Sequence, residues 1–106
     1  MTAQWAAFLN KMPPPPDNFY VVGAVTVGNP GVRPVLTAAE DALGPDGTLQ
    51  LDLHLVQEPG MWPMVITTKD VRYDRVVLPG APEIKAIRII GNGRQIAFID
   101  NVQVVV

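Results

Sequence analysis

Few side chains in this sequence are equipped for chemistry. The single histidine, His54, follows Asp52 by two residues, a spacing that puts an imidazole and a carboxylate on one face of an extended strand. Such a pair can attract a cation, but one imidazole cannot build a multi-histidine zinc site within one chain. Carboxylates for general acid–base work are present at Glu40, Asp41, Asp70 and Asp74, yet nothing in their spacing sets the separation a catalytic pair needs. Ordinary surface solvation explains each of them more simply. Serine and cysteine mechanisms are closed within this chain, which contains neither residue. The expectation is a non-enzymatic protein with no catalytic residue, no metal site and no cofactor.

The glycines offer no phosphate cradle. The stretches Gly28-Asn29-Pro30-Gly31 and Gly91-Asn92-Gly93 connect strands and open no helix, so neither fits a nucleotide-binding loop. Aromatic side chains are the remaining resource. Trp62 lies in a Pro/Gly-rich loop between Met61 and Met64. With Tyr20 or Tyr73 it can form a stacking platform for a sugar ring or a peptide. The simpler role for Trp62 is to close one end of the core.

Composition narrows the class further. A chain of 106 residues with 48% apolar residues is one domain able to bury a core without cross-links. The formal net charge is −2, with no basic run, which disfavours nucleic-acid binding. Apolar runs fall well short of the roughly 18 residues of a membrane helix, and the first residues lack the features of a secretory signal. No membrane partner is expected, and the cytoplasm is the default compartment.

The elements that position these residues are mostly strands. Residues 19–27, FYVVGAVTV, are bounded by turn residues on both sides. Residues 32–36 form a weaker strand, expected at a sheet edge or irregular because Pro34 has no N–H to donate. Residues 37–47 suit either one or two helical turns, with Thr37 and Glu40 at capping-box spacing, or a plain loop. In residues 48–57, leucines at 49, 51, 53 and 55 alternate with mainly polar residues, as in a strand with one buried face. Residues 64–78 form a strand or two, with a phase slip that suggests a bulge near Asp74-Arg75. Asn92-Gly93 marks a two-residue type I′ hairpin. Its register pairs Ile89 with Ile96, Ile87 with Phe98 and Lys85 with Asp100. Residues 102–106 extend the last strand, through a bulge at Asp100-Asn101. These six or seven short strands point to an all-β fold, an antiparallel two-sheet sandwich that is Ig-like in general shape. A small closed barrel is the alternative.

The N-terminus is read differently. Trp5, Phe8, Leu9 and Met12 fall at i, i+3, i+4 and i+7, the stripe of a short amphipathic helix, with Thr2 as its N-cap and Pro13 as its stop. The division is then a helical arm over 1–12, a proline-rich spacer over 13–18 and a β-sandwich over 19–106. A helix this short needs a docking surface. The functional expectation is an interaction or structural domain that self-associates, or binds another protein, through Trp5, Phe8, Leu9 and Met12. The alternatives are a carbohydrate- or peptide-binding module built on Trp62, and an enzyme dependent on carboxylates or a metal.

Overall fold

The computed structural model describes residues 4–39 and 41–106. Eight strands follow in chain order: β1 Gln4–Asn10, β2 Asp17–Val27, β3 Val32–Thr37, β4 Thr48–Gln57, β5 Thr67–Val77, β6 Ala86–Gly91, β7 Arg94–Ile99 and β8 Val102–Val105. They build two four-stranded sheets, ordered β5-β2-β1-β8 and β3-β4-β6-β7. The sheets pack face to face on Phe19, Val21 and Val25 from one side and Leu49, Leu51, Ile87 and Ile89 from the other. Four pairings are antiparallel, while β1–β8 and β4–β6 are parallel, so the two-sheet architecture is mixed rather than wholly antiparallel. Among the described residues there is no helix.

The expected N-terminal helix is replaced by β1, an inner strand. It pairs along its length with β2, from Gln4–Ala24 to Asn10–Asn18, and on its other side with β8. Period two governs its side chains. Ala7 is fully buried, and Trp5 and Leu9 pack on the core beside it. Phe8 points the other way and stacks on Tyr20, with ring centroids 5.0 Å apart. Met12 lies beyond the strand and is exposed. The helical stripe is a coincidence of Phe8 with the inward set. A strand here satisfies backbone groups on both sides, which a helix of about eleven residues in water does not match. Thr2 lies outside the described residues.

The prolines do not hold this segment at a distance. Residues 11–16 are the connection of a β1–β2 hairpin, in which Lys11 N–H donates to the Val105 carbonyl at 2.8 Å and Met12 N–H to Asn10 Oδ1 at 2.9 Å. Four prolines suit such a loop, because they lack N–H groups that would need partners and leave the unfolded chain fewer conformations to lose.

Other local expectations need correction. Strand β5 pairs with β2 in one unbroken register from Asp17–Val77 to Val27–Thr67, with no bulge at Asp74-Arg75. Val71 and Tyr73 face inward, while Val76 is exposed on the outer face. The β6–β7 turn carries Asn92 at φ 53° and Gly93 at φ 77°, as a type I′ turn requires. The register then slips between Ile89 and Ile90, so that Ile89 faces Ala97 and Ile87 faces Ile99. Ala97 and Ile99 thereby take the core side, and Phe98 is left half-exposed. After Asp100-Asn101 the chain crosses to the other sheet instead of bulging within one. Residues 38–39 and 41–47 form no helix and carry one Leu43–Leu49 bridge among the described residues; Glu40, the second residue of the expected capping box, lies outside them. Pro34 sits in β3, an edge strand.

The seating of β1 depends on Gly23, where a Cβ would overlap the Trp5 indole. Gly23→Val is expected to cost about 1–3 kcal/mol through overpacking, read from urea denaturation. Gly28→Ala, where a Cβ meets nothing, should stay within about 0.5 kcal/mol of the parent.

Candidate functional site

The residues singled out for a stacking platform are not brought together. Tyr20 and Tyr73 lie on opposite faces of one sheet, since Tyr73 pairs with the inward Val21. Tyr20 is covered: Phe8 stacks beside it and the Arg72 guanidinium sits 4.3 Å above its ring. Trp62 is near the far end of β2, about 20 Å along the strand from Tyr20. The ring of Trp62 lies on the backbone of Gly31, and its Nε1–H donates to the Glu58 carbonyl at 3.0 Å. It fixes its loop and is not presented as an open platform.

The candidates for acid–base or metal chemistry are also dispersed. His54 Nε2 is 3.0 Å from Thr37 Oγ1 on the outer face of β3–β4, and Asp52 pairs with Thr37 on the same face. Asp70 and Asp74 lie on the outer face of β5, and Asp41 is exposed in the loop after β3. Among the described residues no group of three His, Cys, Asp or Glu side chains is placed to hold a metal ion. Asp74 is engaged by Arg72 Nε at 3.0 Å and by Asn18 Nδ2 at 3.3 Å. The Arg72 hydrogen bond, with a smaller contribution from Asn18, holds its carboxyl below the ordinary value. The Asp46 carboxyl is likewise lowered, first by the Thr48 backbone N–H. Both are local surface contacts.

What the structure gathers instead is apolar surface at the β4–β5 loop. Met61 is 100% exposed, Met64 90% and Ile66 77%, and Leu55, Val56, Trp62 and Val65 are exposed beside them. The base of the loop is anchored. Glu58 N–H donates to the Gly31 carbonyl at 2.8 Å, Asn29 and Gln57 exchange side-chain hydrogen bonds, and Thr67 Oγ1 donates to the Val65 carbonyl at 2.8 Å. An exposed apolar segment held in one shape has less conformational freedom to lose on contact. Exposed apolar side chains concentrated in one segment are the kind of surface that protein contacts use.

The signal for this loop is present in the sequence. Residues 64–66, Met-Val-Ile, directly follow Pro63 and do not alternate, which sets them apart from the polar-alternating strand that begins at Thr67. Merging them into β5 hides them. Among the described residues no helix is long and apolar enough to cross a membrane. Compared with protein-family models, curated proteins and solved structures, the chain matches none of them.

Two outcomes test this geometry. Gly31→Ala places a methyl group against the Trp62 indole and should shift the Trp62 Nε1–H resonance in a ¹⁵N spectrum while leaving that of Trp5 in place. Asp74 has a depressed carboxyl in the folded state, so its contribution to stability is present above the ordinary carboxylate range and is lost as pH falls below about 4. The group is exposed, so Asp74→Asn should lower stability by under about 1 kcal/mol at pH 7 and by less at pH 3, measured by urea denaturation at each pH.

Proposed function

We propose that this chain is a non-enzymatic protein-interaction module, a β-sandwich of Ig-like general outline that associates with copies of itself. The observation that carries this is the apolar β4–β5 loop, with Met61, Met64 and Ile66 nearly free of contacts on an anchored base. Methionine suits such a surface, because its unbranched, polarisable side chain adapts to the facing partner. The surface of self-association moves accordingly from the N-terminal segment to this loop. Trp5 and Leu9 are occupied within their own sandwich and Phe8 within its own outer face, whereas Met61, Met64 and Ile66 are largely uncovered.

Sedimentation velocity over a wide protein concentration range tests the proposal. The wild-type chain should associate with rising concentration. The triple variant Met61→Ser, Met64→Ser and Ile66→Ser should raise the dissociation constant at least tenfold while leaving the far-UV circular dichroism unchanged. Equal association of variant and wild type would remove the loop from the interface.

A further inference from the structure

The two ends of the sandwich differ in shape and in chemistry. At one end the β4–β5 loop projects its apolar side chains. At the other, one sheet overruns its partner. Strands β2 and β5 have 11 residues each, against 6 in β3, β6 and β7; β4 has 10, but it starts level with β6 and extends toward the other end. Beyond the end of the shorter sheet, the inward side chains of Leu9, Phe19 and Val77 meet the loop over residues 78–84 instead of a strand, leaving a pocket of about 310 Å³. Phe19 is fully buried at its base, while Leu78 and Val104 are 62% and 56% exposed at its mouth.

Size and charge match the loop to the pocket. A cavity of about 150 Å³ accepts one benzene-sized apolar group; this pocket therefore has room for about two groups on the scale of a methionine or isoleucine side chain. Its rim carries Asp17 and Glu83 against one cation, Lys11. The strand ends around the β4–β5 loop carry Arg33, Lys69 and Arg94 against the carboxylates of Glu58 and Asp70. A molecule cannot fill its own pocket with its own loop, because the two lie at opposite ends of a body 47 Å long.

We propose that the end pocket receives the β4–β5 loop of a second copy of this chain. The inference rests on the loop being the self-association surface and adds the acceptor. The contact joins two different surfaces, so it is heterologous: each copy that inserts its loop still offers its pocket. Association then continues head to tail, into a ring if the rotation closes and a filament if it does not.

Complementation between one-ended variants tests this. The loop variant Met61→Ser, Met64→Ser, Ile66→Ser keeps its pocket. The pocket variant Leu78→Glu, Val104→Glu keeps its loop, and both of its substitutions are at positions more than half exposed. By sedimentation velocity, each variant alone should show a dissociation constant at least tenfold above that of the wild-type chain. An equimolar mixture should form a one-to-one dimer that does not grow with concentration, because it contains one intact loop facing one intact pocket. If the pocket variant alone associates like the wild type, or the mixture forms no heterodimer, the pocket is not the acceptor. The loop variant by itself still decides the loop's role. A wild-type chain that stays monomeric throughout overturns both. Should the pocket variant not fold, the rim reversal Asp17→Lys, Glu83→Lys takes its place: weakened association supports the proposal and unchanged association overturns it.

Discussion

Strand β1 lies between β2 and β8, and the sheet that shapes both ends of the molecule depends on it. Without β1, β8 has no neighbour and β2 becomes an edge. Its pairing satisfies backbone donors and acceptors on both sides, and its inward face brings Trp5, Ala7 and Leu9 onto the core. The fit is close. Ala7 is fully buried, and Trp5 lies flat on Gly23, whose missing side chain leaves room for the indole. There is an opposing cost, since the Trp5 Nε1–H is buried without a partner among the described residues. A lost hydrogen bond of that kind costs roughly 1–3 kcal/mol. The area that an indole buries offsets a penalty of this size.

Strands β2 and β5 run past the other sheet at one end, while β4 runs past its neighbour β6 at the opposite end, and the surfaces we propose for association follow from that offset. Two flat faces of equal length would cover each other and leave only turns at the ends. Here the long strands β2 and β5 overrun the shorter sheet at the end where β1 turns into β2, and the apolar inner face continues into a pocket. At the opposite end, the chain passing from β4 to β5 crosses between sheets over a loop too apolar for its exposure. Two of the four sheet edges, β5 and β3, are better protected than β7 and β8. Strand β5 carries Lys69, Asp70, Arg72, Asp74 and Arg75, and β3 carries Pro34; charge and proline both discourage edge-to-edge pairing.

What the sequence discloses depends on whether the pattern is local. In β4, Leu49, Leu51 and Leu53 are buried as their alternation implies, and Leu55 escapes only because the strand outruns its cover. The Asn92-Gly93 turn and the edge position of β3 follow from backbone rules that need no partner. Strand β1 is opaque for a specific reason. Its central inward residue is Ala7, which contributes no apolar signal, while the outward Phe8 does, so a period of two imitates a helical stripe. The slip at Ile89–Ile90 is equally hidden, because Ile96 and Phe98 are as apolar as the Ala97 and Ile99 that take the core side. Of the candidate site, the loop side chains stand in consecutive positions and are legible. The pocket draws Leu9, Phe19, Val77, Ile84 and Val104 from separate segments, and no local pattern joins them.

The most direct measurement of this architecture is native-state amide hydrogen exchange at residues 5–10. As an inner strand paired on both sides, Ala6–Leu9 should exchange as slowly as Val21–Val25 in the neighbouring strand, with protection near that of global unfolding. Exchange of Ala6–Leu9 as fast as in the exposed loop over residues 59–64 would contradict it, and would detach the N-terminal segment from the sheet on which both ends of the molecule are built.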